Sequence, residues 1–345
     1  MVEPPLAPTA PWYPFAPVAL EPEGEQAAGW RLRHLPAGVR SRVGPDAVFV
    51  GGNSNDAWLG GTTVLRVCWR GDRDRFLREA AVLRSLPAGV PRPDVIDVGR
   101  TDDLSWLVTG RGPGVPLHQA GPLDDARYRD IGRQHAASLR ELHAWTPPPE
   151  VADLLRVVDR HAPGESPCPK EVVPLRVDDI VQIARDIAAL PDVDAGLVAD
   201  AIVAVEALRD LDPGATLHDT VVHGDPAWGN LLVAEGRLSA LIDFEWVRFG
   251  PIDLELVVPT FLGFTSMPAR RIVRWLAEDC PELFDGPELR RRMWLHQLSF
   301  ALRGVLWWPP DAPEPEVTPD HHLHNLRRLS QGPCFDLPDP FGRYA

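Results

Sequence analysis

The chain has 345 residues, 44% of them apolar and 24% charged. That is longer than the ~100–200 residues of one ordinary domain and balanced like a globular protein with a full core. Lys and Arg total 35 against 49 Asp and Glu, a net charge of −14. This excludes the basic footprint of a nucleic-acid binder and any attraction to an anionic membrane surface. Lys170 is the only lysine, so the other 34 basic residues are arginines. The four cysteines lie far apart and form no C-x-x-C pair, which fits reduced thiols rather than a disulfide framework. The N-terminus is acidic and proline-broken, and the longest apolar stretch, near Leu256–Phe264, is far too short to span a bilayer. The expectation is a soluble, cytoplasmic protein, monomer or homodimer, with two packed lobes sharing a cleft.

In chain order, residues 1–27 are proline-rich and weakly periodic, so a loose arm is expected, with order beginning near Trp30. Residues 28–110 then predict a small β-rich lobe. Ala47–Val50 and Thr63–Cys68 are strand-like and flank a Gly/Asn loop. Asp74–Leu86 has helical spacing, with Phe76, Ala80 and Leu83 on one face. Val95–Val98 and Leu104–Thr109 read as two further strands. Arg111-Gly-Pro-Gly-Val-Pro116 breaks the pattern and opens a second, mostly helical lobe over 111–345. Helices are expected there at Ala126–Ala144, Asp178–Leu190, Ala195–Leu211, Pro268–Ala277, Pro287–Leu306 and His321–Leu329. One hairpin interrupts them, Leu231–Val233 pairing with Leu238–Ile242 across Ala-Glu-Gly-Arg.

The chemistry concentrates around that hairpin. Asp225 and Asn230 are five apart in Val222-His-Gly-Asp-Pro-Ala-Trp-Gly-Asn-Leu-Leu-Val233, and Leu241-Ile-Asp-Phe-Glu-Trp246 brings Asp243 back beside Asn230. Two carboxylates and a carboxamide on short stems are hard oxygen donors, suited to Mg²⁺ that keeps waters and phosphate oxygens as its other ligands. A carboxylate free of the metal can accept a hydroxyl proton, the division of labour in phosphoryl transfer. An isolated Asp-x4-Asn is common, and a loop Asp is usually a turn former; here the flanking His-Gly, the hairpin and the returning Ile-Asp supply the context.

His-Gly-Asp-x4-Asn with Ile-Asp-Phe-Glu resembles the aminoglycoside phosphotransferase family, over about residues 44–260. The resemblance implies an α+β, bilobal, protein-kinase-like fold: a small antiparallel sheet with one helix, and a larger, mostly helical lobe. It implies Asp225 as catalytic base, Asn230 and Asp243 as Mg²⁺ ligands, and ATP or GTP as phosphoryl donor. Gly250-Pro-Ile-Asp253 fits the segment that follows the metal Asp, with Asp253 structural. In the small lobe, Val50-Gly-Gly-Asn-Ser-Asn-Asp56 is similar to a nucleotide-covering loop, in which Gly52, Ser54 and Asn55 meet phosphates. The family's strand lysine is replaced by Arg66, and Glu79 on the next helix is placed to pair with it, against the plainer pairing with Arg75 or Arg78. Leu107–Arg111 resembles the hinge that reads a purine through its backbone, which adds Thr109 and Arg111 to the nucleotide set.

His223 is expected to be a core or loop-bracing residue and His143 a satisfied structural one, and His321, His322 and His324 lack the nearby Cys or spaced carboxylates of a metal site. Residues 177–213 carry nine acids against Arg185 and Arg209. Two readings stay open: a field that attracts a cationic substrate, or a solvated helix face. The expected partner is a hydroxylated small molecule. An antibiotic (aminoglycoside, nucleoside or macrolide) comes first, a sugar, choline or homoserine second, and a silent nucleotide-binding pseudokinase is the rival from another class.

Overall fold

The computed structural model of the chain describes residues 22–51, 55–68, 74–102, 104–121, 123–156, 176–212, 218–262, 267–307, 309–310, 312–314, 316–317 and 321–333. In chain order these form α1 (Pro22–His34), α2 (Ala37–Val43), β1 (Val48–Phe49), β2 (Asp56–Leu59), β3 (Thr63–Cys68), α3 (Arg75–Ser85), β4 (Val95–Arg100), β5 (Ser105–Gly110), β6 (Val115–Pro116), α4 (Asp125–His143) and α5 (Pro149–Leu155). There follow α6 (Val177–Ile187), α7 (Ala195–Glu206), β7 (Val221–Val222), β8 (Leu231–Ala234), β9 (Arg237–Leu241), β10 (Arg248–Phe249), α8 (Val257–Leu262), α9 (Met267–Asp279), α10 (Leu289–Trp307) and α11 (His322–Ser330). Among the described residues no helix is long and apolar enough to cross a membrane. The chain divides into two compact units, one of residues 1–86, 92–113 and 147–166, the other of 87–91, 114–146 and 167–345.

The smaller unit is built on an antiparallel sheet of order β1-β2-β3-β5-β4. Alternation along β3 buries Leu65 and Val67 on one face and leaves Val64 and Arg66 half-buried on the other. Ala28 of α1, Leu35 just after it, and Val39 and Val43 of α2 close the buried face with Phe49, Trp58, Trp106 and Val108. This unit therefore carries more than the one expected helix, α3. α1 begins at Pro22, inside the stretch expected to be a loose arm: proline presets helical φ at a first turn. α5, in what reads as a Pro-Pro-Pro separator, starts for the same reason, with Pro149 in its first turn.

In the larger unit, α4 buries Ile131, His135, Ser138, Leu139 and Leu142 at three- and four-residue spacing. The interior is filled by Ile180, Ala184 and Ile187 of α6, Val198, Ala201 and Val205 of α7, and Leu323, Leu326 and Leu329 of α11. α10 is buried around most of its girth, including His296, Gln297 and Arg303. Its Gln297 donates Nε2 to the Val257 carbonyl at 2.9 Å. The hairpin lies where expected, β8 against β9, with the short β6 on its outer edge. Its turn residues Glu235 and Gly236 both have positive φ, 53° and 75°, the backbone that a two-residue hairpin turn demands.

Gly99 of β4 faces Trp106 of β5 across the ladder, and a Cβ there would stand 2.3 Å from the indole ring. Gly99→Ala is therefore expected to lose about 1–3 kcal/mol by overpacking. Gly61→Ala, where an added methyl meets open space, should stay within about 0.5 kcal/mol of wild type; urea unfolding of the two variants checks the difference.

Candidate active site

The chemistry begins where β7 ends. β7 pairs antiparallel with β10, Val222 opposite Arg248, and delivers His223, Gly224 and Asp225 in succession. Gly224 has φ +79°, and a Cβ on it would lie 2.8 Å from the Trp246 carbonyl oxygen, so only glycine lets the chain turn between the histidine and the aspartate. Asp225 is 2% exposed. Beyond it a 3-10 turn, Trp228–Asn230, leads into β8. Asn230 donates Nδ2 to the Asp225 carbonyl at 2.9 Å and to Asp225 Oδ2 at 3.1 Å. Both partners are acceptors, so the amide nitrogen must face Asp225 and Oδ1 points elsewhere.

The hairpin supplies the third group. Leu231 lies opposite Leu241, and the Ile242 N–H donates to the Asn230 carbonyl at 3.0 Å. Asp243, the next residue, therefore returns to the loop that holds Asn230. Its φ of 68° and ψ of 54° are left-handed, a backbone that Asp tolerates better than most residues. Asp225, Asn230 and Asp243 thus gather on neighbouring turns of one unit. Among the described residues no group of three or more His, Cys, Asp or Glu could hold a metal ion, the C-terminal histidines included. One carboxylate and one carboxamide oxygen, completed by phosphate oxygens, fit Mg²⁺.

A residue that sequence reading missed organises this loop. Glu255, fully buried in the 3-10 segment Ile252–Leu256, accepts the His223 N–H at 2.7 Å and the Gly224 N–H at 3.0 Å. It also lies 3.1 Å from Nε2 of His143, the last residue of α4. Burial pushes its carboxyl pKa up, but the His143 hydrogen bond and charge, the His223 ring and the His223 N–H together hold it below the usual range. The sequence singled out Asp253 in this segment; Asp253 accepts from Nε of Arg292 at 2.6 Å, a structural pairing. Nothing in Ile-Asp-Leu-Glu-Leu sets Glu255 apart from a surface acid; the fold buries it together with Leu254 and Leu256. His223 and His143 are braces, as expected. His223 accepts the Asp225 N–H on Nδ1 at 3.3 Å and packs its ring on Phe244, centroids 4.6 Å apart. His135, one α4 face further, is driven to a pKa of about 4 by burial and then by His223. Glu245 is buried in the 3-10 turn after Asp243.

In the smaller unit, Arg66 Nη1 donates to both carboxylate oxygens of Glu79, at 2.6 and 2.7 Å, and its guanidinium lies 4.9 Å from the centroid of the Phe76 ring. Asn55 is buried, whereas Gly52 and Ser54 lie outside the described residues. Thr109 is buried within β5 between Val64 and Val95. The Gly110 N–H donates to Asp94 and the Arg111 N–H to Thr62, both at 2.8 Å. Arg111 would therefore meet a base through its carbonyl or guanidinium rather than its N–H. The acidic 177–213 segment is partly neutralised. Asp178 and Glu206 are held low by Arg209, Asp210 by Arg291, and Asp194 first by the Gly196 N–H and then by Arg327. That favours the solvated-face reading over an open attracting field.

Residues 47–291 match the family described as APH, phosphotransferase enzyme family. No curated protein matches the chain. Among solved structures it is similar to a thermostable mutant of aminoglycoside phosphotransferase APH(4)-Ia in its apo form, 19% identical, TM-score 0.58, covering 83% of this chain and 94% of that one. It is likewise similar to a thermostable mutant of APH(4)-Ia in ternary complex with ADP and hygromycin B, 18% identical, TM-score 0.56, covering 83% and 94%. The streptomycin–ATP–APH(2'')-IIa ternary complex is 15% identical with TM-score 0.54, covering 86% and 97%. The likeness establishes the bilobal, kinase-like α+β fold.

Two outcomes follow from the buried brace. Glu255→Gln keeps the shape but loses the charge that holds two backbone N–H groups, and should cost about 1.5–3 kcal/mol in chemical unfolding. His135 stays neutral in the folded state down to about pH 4, while in the unfolded chain it takes a proton near pH 6.5. Stability should therefore fall as pH drops through that window, by on the order of 3 kcal/mol. The depressed Glu255 carboxyl acts in the same direction below about pH 4.5, the ordinary glutamate range. His135→Gln should flatten the urea-unfolding free energy between pH 4 and 6.5.

Proposed function

Because the chain belongs to the phosphotransferase enzyme family, we propose that it transfers the γ-phosphoryl group of ATP or GTP, with Mg²⁺, to a hydroxyl of an antibiotic-like small molecule. The observation that carries this reading is the Asn230–Asp225 contact with Asp243 returned beside it: a base and two metal-type oxygen donors on adjoining turns. The ADP and hygromycin B of one relative and the ATP and streptomycin of another support a nucleotide donor and an antibiotic acceptor.

In this reading Asp225 accepts the proton of the acceptor hydroxyl as its oxygen bonds to the γ-phosphorus, and the bond to the bridging β–γ oxygen breaks to release the nucleoside diphosphate. Near-complete burial gives Asp225 a fixed direction, and Asn230 Nδ2 holds one of its oxygens, so the base needs little reorganisation. Asn230 Oδ1 and the Asp243 carboxylate are the groups that would hold Mg²⁺, which when bound neutralises phosphate charge. Arg66, braced by Glu79 and Phe76, takes the place of a strand lysine and offers forked donors to phosphate oxygens. Asn55, with Gly52 and Ser54, and Thr109 and Arg111 complete the proposed nucleotide contacts.

Asp225→Asn should lower phosphotransfer about 10²–10⁴-fold while leaving the unfolding midpoint and nucleotide binding near wild type. Arg66→Ala should weaken triphosphate binding. Both are read with ATP and GTP turnover against a panel of hydroxylated antibiotics and of sugars, choline and homoserine. Tight nucleotide binding with no turnover on any acceptor would instead make the chain a silent nucleotide-binding module.

A further inference from the structure

The family match begins at residue 47, yet α1 and α2, which precede it, are part of the small unit's core. Within that interface lies a buried ion pair. Arg31 of α1, 4% exposed, donates Nε to Asp56 Oδ2 at 2.6 Å and Nη2 to Oδ1 at 2.8 Å, and the Asp56 side chain is fully buried. Taking two charges out of water costs several kcal/mol per ion, and an apolar pair of the same volume would hold a helix to a sheet at least as well. What a forked, two-bond pair adds is geometric selection.

The place of Asp56 shows what is selected. It is the first residue of β2, directly after Asn55, and it lies opposite Val67 of β3, with Ala57 opposite Arg66. β1 has two residues and β2 four, so few backbone bonds fix their register. A slip of one residue would swing Asp56 to the other face of the sheet and part it from Arg31. The observed register is the one that pairs Arg31 with Asp56, and in it Asn55 directly precedes β2 while Arg66 faces Glu79.

We infer that Arg31 is a positioning residue for the nucleotide. From a helix outside the family match, it fixes through Asp56 the strand end that presents Asn55 and, one register step away, Arg66. Arg31 itself touches no substrate. The inference rests on the phosphotransfer reading above, because it needs Asn55 and Arg66 to meet phosphates.

The test is the double variant Arg31→Met/Asp56→Leu, which removes both charges together at similar volume. Calorimetric titration with AMP-PNP and Mg²⁺ is expected to show about tenfold weaker binding, with the thermal midpoint at or above wild type. A folded double variant that binds AMP-PNP as wild type does would reduce the pair to packing and overturn the inference. Should the double variant fail to fold, Arg31→Lys, which keeps the charge and loses the fork, reads the same quantity. Weakened AMP-PNP binding then supports the role, and unchanged binding removes it. Wild-type titration separates the two levels. If wild type binds no nucleotide, the phosphotransfer reading fails and takes this inference with it. If wild type binds and the variants bind equally well, only the role of Arg31 falls.

Discussion

A single buried carboxylate holds the loop that carries Asp225. Glu255 has no exposed surface and accepts two successive backbone N–H groups, those of His223 and Gly224, immediately before Asp225. A buried backbone donor without a partner costs on the order of 1–3 kcal/mol, so the loop has one low-energy path past Glu255. His143, at the end of a 19-residue helix, supplies the remaining contact. The loop's position is thereby tied to a rigid element of its own unit rather than to its neighbours in sequence.

Around this brace the polar groups are arranged in layers of decreasing burial. His223 and Glu255 are sealed from water, His135 and Asp225 nearly so, and Asn230 is half-buried. In the proposed reaction the acting charge, on Asp225, belongs to a network whose inner members are fixed by hydrogen bonds. Electrostatic preorganisation works best when the acting groups need not move.

The smaller unit uses arginine in two ion pairs, with different effect. Arg66 pairs with Glu79 and rests on Phe76 in a half-buried arrangement. Arg31 pairs with Asp56 inside the core and is structural in its contacts. A planar guanidinium loses less hydration than an ammonium on burial and holds a carboxylate in a fixed plane. A chain with one lysine can therefore still build directional ion pairs in both settings.

Local pattern was enough for the elements whose cause is local. The period of α4, the alternation of β3 and the tight hairpin 231–241 are legible because spacing and turn chemistry act over a few residues. So was the grouping of Asp225, Asn230 and Asp243, since a short hairpin dictates what stands beside what. The pairing of Glu79 with Arg66 followed from a strand–helix template of similarly short reach. Glu255 and the Arg31–Asp56 pair were not legible. Their partners lie 32 and 25 residues away, and a buried acid looks in sequence like any surface acid until the fold removes its water. The start of α1 was hidden for a related reason: its Ala28 and Leu32 pack into the core of the sheet, contacts that only tertiary packing provides.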